Sequence, residues 1–222
     1  MKIGILGGTG PAGRGLAARL ASIGHDAVVG SRSAERAQEI VDALLEQWPD
    51  LSGRITAGDN EAAASAELVV VATPWDAAWT TALSVSGHLQ GKVVLCMANA
   101  LARVGHEFEA LIPPRGSVAA SVQAAVPGCQ VVAAMHHVPA KELGQVDHPV
   151  EMDVLVCADH AEAKQVGMDL IAQIPGMRPL DAGELSQSAA IEALTAVILQ
   201  LNVRYKTRAA VRFTGIDAGP VA

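Results

Sequence analysis

Aromatic residues are scarce in this chain: three Trp, two Phe and one Tyr, 3% of 222 residues. The single tyrosine, Tyr205, is followed at position 209 by alanine, which excludes the Tyr-x-x-x-Lys pair of short-chain dehydrogenases. Lysine is also rare. Lys2, Lys92, Lys141, Lys164 and Lys206 form no recognisable general-acid motif of the hydroxyacid dehydrogenases. The three cysteines, Cys96, Cys129 and Cys157, make no C-x-x-C pair and no zinc-ligand spacing, so they read as buried thiols and no metal site is expected. No apolar run reaches the ~18 residues of a membrane span, because the best segment, Ala189 to Val203, contains Glu192 and Gln200. The short apolar start runs at once into glycines, unlike a signal peptide. Positive charge is in deficit, with a net charge of −7, which argues against nucleic acid as a partner. A cytoplasmic chain with small-molecule partners, no membrane and no metal is the expectation.

Half of the residues are hydrophobic, mostly Ala, Val, Leu and Ile, enough for a sizeable core. Apolar runs at 2–7, 27–30, 68–72, 92–96 and 131–135 read as buried strands, with a weaker one at 54–57. Helical patterns fall between them at 10–23, 33–47, 59–65, 76–88 and 117–125. Residues 97–116 read as a loop and a short helix. Beyond them come a strand at 151–157, a helix at 160–174, a short strand at 178–181 and a helix from 185 to about 205. Ile191, Leu194, Ile198, Leu201 and Tyr205 step by three and four along that helix, which places them on one face. The alternation predicts an α/β protein: a Rossmann-type, doubly wound, mainly parallel sheet with a small C-terminal α+β part packed against it. The expected division is a nucleotide-binding domain at 1–140 and a smaller part at 141–222 that completes a cleft.

Gly8-Thr9-Gly10-Pro11-Ala12-Gly13 carries G-x-G-x-x-G between the first strand and the first helix. In that context glycines permit a tight turn, close approach to a pyrophosphate, and helix–strand packing, and the helix start offers free N–H groups. An NAD site places Asp or Glu on the ribose about 20 residues further on. Here the second strand ends in Gly30-Ser31-Arg32, with Arg36 one turn later. Guanidinium groups offer a 2′-phosphate a fork of donors where a carboxylate would repel it, so NADP(H) is the predicted cofactor. Thr73-Pro74-Trp75 and Met135-His136-His137-Val138 follow buried strands at the carboxyl end, where open α/β sheets bind ligands. Two adjacent histidines are expected to point apart, so that at most one of them faces the site. No acid–base group stands out, which suits direct hydride transfer between two bound molecules. The residues alone also allow an NADPH-dependent reductase of a flavin, ferric chelate, imine or carbonyl, or a non-enzymatic NADP(H) sensor.

Several segments in the same order resemble the NADPH-dependent reductases of coenzyme F420, a deazaflavin. They are Leu6-Gly7-Gly8-Thr9-Gly10, Gly24-His25 with Val28-Val29-Gly30-Ser31-Arg32, Pro74-Trp75, His136 with Val138-Pro139-Ala140, Arg178 to Gly183 with Leu185-Ser186, and Glu192 with Leu194-Thr195. The resemblance spans nearly the whole chain. It implies that the glycine loop holds the pyrophosphate and that Thr9, Ser31, Arg32 and Arg36 surround the 2′-phosphate. It implies that His136 and Val138 flank the nicotinamide and deazaflavin rings, with Thr195 nearby. His136 becomes the candidate catalytic residue, a stabiliser of negative charge on the reduced ring. The chain departs from the family pattern at Ala189 and Ala193, where an arginine and a serine are usual. Coenzyme F420 also carries a phosphate and glutamates, and Arg204, Lys206, Arg208 and Arg212 are a candidate site for that tail. The Ala-rich segments and apolar last helix point to a homodimer.

Overall fold

The alternating pattern builds, in the computed structural model of residues 1–216, a six-stranded parallel sheet with helices on both faces. The first half runs β1 (Lys2–Leu6), α1 (Pro11–Ser22), β2 (Asp26–Ser31), α2 (Ala34–Gln47), β3 (Ile55–Asp59), α3 (Asn60–Ala64) and β4 (Leu68–Val71). Next come α4 (Ala78–Ser84), α5 (Ser86–Leu89), β5 (Val93–Cys96), β6 (Leu101–Val104), β7 (Glu107–Ala110), α6 (Val118–Ala125) and β8 (Gln130–Ala133). The remainder is α7 (Ala140–Leu143), β9 (Met152–Val156), α8 (Ala161–Ala172), β10 (Met177–Asp181) and α9 (Ser188–Tyr205).

The sheet order is β3-β2-β1-β4-β5-β8, every neighbouring pair parallel. The order reverses between β1 and β4, which opens a crevice at their carboxyl ends. Strand residues alternate between two cores. Ile3, Ile5, Val70, Leu95 and Val132 pack under Leu16 and Leu20 of α1, Ile40 and Leu44 of α2, and Leu170 and Ile171 of α8. Leu6, Val69, Val71, Val94 and Val131 pack under Ala82 of α4, Val118 and Val122 of α6, and Ile191 of α9. Both faces are dry, which is why these strands read as unbroken apolar runs.

Beyond β8, β9 and β10 form a parallel pair of their own. It joins the main sheet through an antiparallel bridge in which Ala133 and Cys157 exchange both backbone hydrogen bonds, at 2.9 and 3.0 Å. Asp153 of β9, fully buried, takes Arg178 of β10 in a two-pronged bond at 2.8 and 2.7 Å. The same arginine donates to the carbonyls of Phe213 and Ile216, which pins the C-terminal segment onto this pair. Of the expected part 141–222, residues 217–222 lie outside the described chain.

Two local expectations change, and the last helix gains its burial pattern. Residues 101–110 form a hairpin, not a helix, because Leu101–Val104 and Glu107–Ala110 pair antiparallel around Gly105, whose φ is 61°. The span 76–88 breaks into a 3-10 turn at Trp75–Ala77, then α4 and α5, with Ser84 donating back to the Thr81 carbonyl. On α9, Ile191 and Ile198 are buried, but Leu201 is exposed and Tyr205 is 73% exposed. The apolar face seen in the sequence therefore turns to solvent over the last two turns of the helix.

Candidate active site

The crevice begins at the glycine loop. Gly7, just before the motif, takes the left-handed turn at φ 70°, where a Cβ would lie 2.6 Å from Thr73. The tight turn expected of the motif's glycines thus falls on the residue before them. Gly8 donates instead to the carbonyls of Ile5 and Gly30 at 3.1 and 2.9 Å. Gly13 lies against Gly8, with 2.7 Å between its would-be Cβ and the Gly8 Cα, so helix and loop touch backbone to backbone. Above Gly10 the space is open: only the Gly7 carbonyl oxygen, at 3.6 Å, comes near a would-be Cβ. Gly10 caps α1 with no side-chain bond, Pro11 opens the helix, and the first turn has no acid. Its N–H groups and partial positive charge are therefore available to a pyrophosphate.

A cavity of about 550 Å³ lies on one side of this helix start, lined by Thr9, Gly10, Ser31, Arg32, Arg36, Asn60, Thr73, Pro74, Thr80, Thr81 and Ser84 among others. β2 delivers Ser31 and Arg32. Ser33 then caps α2, accepting from the Arg36 N–H at 3.1 Å, which places Arg36 one turn in. Arg32 makes no hydrogen bond or ion pair among the described residues, whereas Arg36 is paired with Glu39 at 2.6 Å. Two shielded polar atoms, Thr73 Oγ1 and Asn60 Oδ1, lack partners among the described residues. An open Gly10, an unpaired guanidinium and polar atoms awaiting partners fit an adenosine phosphate bearing NADP's extra phosphoryl group.

A second cavity, about 380 Å³, lies across the helix start and is lined by Ala12, Met97, Asn99, His136, His137, Val138, Thr195, Asn202 and others. Both histidines border it, where at most one was expected to. Met135 is the reason: it is buried with φ 67°, so the chain turns sharply there and strand alternation no longer applies. His136 Nδ1 lies 3.2 Å from the Ala98 carbonyl, and His137 Nε2 lies 3.0 Å from the Asp153 carbonyl. A carbonyl only accepts, so each of these nitrogens carries the proton and the opposite nitrogen is a bare lone pair. His136 Nε2 and His137 Nδ1 are buried and have no partner among the described residues.

Burial pushes His136 down to about 3, with the neighbouring His137 adding to the shift and the carbonyls of Ala98 and Met97 opposing it. It is neutral at every physiological pH. A neutral imidazole carries no positive charge. Its own carbonyl is held from two sides, by Asn99 Nδ2 at 2.7 Å and Thr195 Oγ1 at 3.2 Å. Thr195 thus acts through the loop backbone, and Asn99, which no motif flagged, joins it there.

Two buried charges hold these walls together. Arg19 of α1 is 1% exposed, and its five N–H groups donate to the carbonyls of Glu142, Leu143, Gln145, Val146 and His148, at 2.6 to 3.3 Å. The helix whose N-terminus lies between the two cavities is thereby fastened to the segment following Val138. Glu192 of α9 accepts from the Val118 and Ala119 N–H groups at 2.9 and 3.1 Å, so it caps α6 from a distance. Burial pushes its carboxyl up to about 7 against those two bonds.

The structure gathers Thr9, Gly10, Ser31, Arg32, Arg36, Thr73 and Pro74 at the first cavity and Ala12, His136, Val138 and Thr195 at the second. Trp75 borders neither. Its ring packs against Trp79 at 6.4 Å between centroids. The arginines proposed for the tail are already engaged: Arg204 with Glu107, Arg208 with Glu142, and Arg212 with Glu151. Ala189 and Ala193 line neither cavity.

Comparison with known proteins agrees with this geometry. Residues 2–100 match the family described as NADP oxidoreductase, coenzyme F420-dependent. The F420-dependent NADP reductase of Methanocaldococcus jannaschii is 37% identical over 223 residues, covering 98% of this chain and all of that protein. The enzyme of the same name from Methanothermobacter thermautotrophicus is 33% identical over 230 residues, 97% of this chain and 96% of its own. A solved structure from Arthrobacter sp. FB24, provisionally described as an F420-dependent NADP reductase, superposes with a TM-score of 0.76 at 26% identity, over 94% of this chain and 96% of that one. Among the described residues no helix is long and apolar enough to cross a membrane. The chain belongs to the coenzyme F420-dependent NADP oxidoreductase family.

Proposed function

We propose that this chain transfers a hydride between NADP(H) and the deazaflavin coenzyme F420. The observation that carries the reading is the pair of cavities meeting at the N-terminus of α1, one rimmed by an unpaired Arg32, the other by two neutral histidines. Gly10 and the first turn of α1 bind the pyrophosphate, and Arg32 with Ser31 takes the 2′-phosphate while Arg36 exchanges Glu39 for it. Ala12, Val138 and Pro74 confine the nicotinamide side. His136 and His137 wall the ring cavity as neutral imidazoles, which leaves the ring unprotonated. The two rings, once bound, supply hydride donor and acceptor themselves. The protein contributes alignment and exclusion of water, which suits a ring cavity lined by no carboxylate, whose cations are Lys141 and Arg208.

The decisive assay follows loss of the deazaflavin's visible absorbance with NADPH under anaerobic conditions. Turnover with F420 and none with a free flavin or a ferric chelate supports the reading. The reverse pattern overturns it in favour of another acceptor. The exposed apolar residues of α9, Val197, Leu201, Val203 and Tyr205, support a homodimer, which sedimentation at micromolar concentration tests. Three buried free thiols suit the reducing cytosol.

A further inference from the structure

A third cavity, about 480 Å³, lies between α1, α2 and α7 and belongs to neither half of the site described above. It shares Ala140 and Lys141 with the ring cavity, so the two adjoin along the edge of α7. Its lining is cationic. Arg14 and Lys141 line it, Gln47 and Gln145 add amides, and no carboxylate borders it, although the protein carries a net charge of −7. Arg14 and Lys141 make no ion pair or hydrogen bond among the described residues, unlike the arginines of the C-terminal segment, each of which already holds a carboxylate. A groove with two unpaired cations, no acid, and an opening onto a ring pocket is built for an anion attached to the occupant of that pocket.

We infer that this groove seats a flexible anionic arm, bearing phosphate and carboxylate groups, of the molecule whose ring occupies the adjoining cavity. The inference rests on the proposed function, because the ring must bind beside His136 for the arm to reach Lys141. Lys141 stands at the junction and takes the first anionic group. Arg14 lies further along and takes the next. The rival use of the same cations is the NADP pyrophosphate, since Arg14 follows the glycine motif by one residue.

The test compares intact coenzyme F420 with its tail-less chromophore, a deazaflavin carrying ribitol but no phosphate, and uses equilibrium fluorescence quenching. Wild type binds intact F420 about tenfold or more tighter at low salt, the scale of one charge-assisted contact, and the advantage shrinks as salt rises. The Arg14→Ala/Lys141→Ala double variant loses that advantage, while its affinities for the tail-less chromophore and for NADP+ stay within about twofold of wild type. Unchanged F420 affinity in the double variant overturns the inference. So does a parallel loss of NADP+ affinity, which assigns the cations to the pyrophosphate. If wild type binds the tail-less chromophore but shows no preference for the intact coenzyme, the arm has no site and the ring reading survives. If neither deazaflavin binds while NADP+ does, the functional reading and this inference fall together.

Discussion

Replacing Arg19 by methionine removes five hydrogen bonds with one substitution while keeping much of the side-chain volume. In the wild type every guanidinium N–H is satisfied by a carbonyl of the 142–148 segment, and the group is 1% exposed. Bonds of this charged kind contribute roughly 1.5–3 kcal/mol each when deleted singly. Five cannot simply be added, because burying the guanidinium carries a desolvation cost and Asp147 and His148 are exposed enough for water to reach nearby carbonyls. A net loss of about 3–5 kcal/mol follows, the scale for breaking a buried charged network by removing one partner. Arg19→Lys keeps the charge but offers three donors, and loses about half as much. Urea unfolding monitored by far-UV circular dichroism measures both.

The functional consequence is separable from stability. The segment that Arg19 holds carries Lys141 and follows Val138, whereas the glycine loop keeps its own contacts with β2. In the lysine variant at a temperature where it stays folded, KM for the deazaflavin rises severalfold more than KM for NADPH. A methionine variant within 1 kcal/mol of wild type would refute the reasoning, and so would equal changes in both Michaelis constants.

Arg32→Ala weakens NADPH by about 1.5–3 kcal/mol and leaves NADH nearly unchanged, as isothermal titration reads directly; equal losses would remove the phosphate role. His136→Gln introduces no change in the shape of the pH–rate profile between pH 5 and 9, because the wild-type imidazole, at about 3, is already neutral throughout. A wild-type step near pH 6 that vanishes in the variant would contradict the neutral state of this imidazole. Glu192 has its carboxyl raised from 4.5 to about 7, so the folded state favours the protonated form. Its stabilising contribution is therefore complete below pH 4.5 and is lost as pH rises towards 7, by about 3 kcal/mol at 1.36 kcal/mol per pH unit. Glu192→Gln should remove this component, so the stability difference between wild type and variant moves against the wild type from pH 4.5 to 7.5; a constant difference would sink the assignment.

The course of the chain was legible to different depths. Ser33 was readable as a cap because the serine stands immediately before an amphipathic run, and the structure closes that bond to the Arg36 N–H. The hairpin at 101–110 was missed because its strands are four residues long and half polar, too short for alternation to outweigh the loop-like glycine and prolines around it. The last helix was read with the right period, but its exposure was not legible, since periodicity states which residues share a face and not what covers it.

By itself the sequence determined the properties that repeat over short distances: buried parallel strands, the glycine turn into a helix, and arginine in place of an acid beyond the second strand. Only the tertiary structure decided which partner each polar atom finds. Arg19 reaches the carbonyls of residues 142–148, Glu192 caps a helix that begins at Val118, and His136 donates its Nδ1–H to the Ala98 carbonyl. The physical reason is that a side chain's charge and tautomer answer to burial and to neighbours across space. Those neighbours are set by how the sheet and helices pack, and no local spacing in the chain records them.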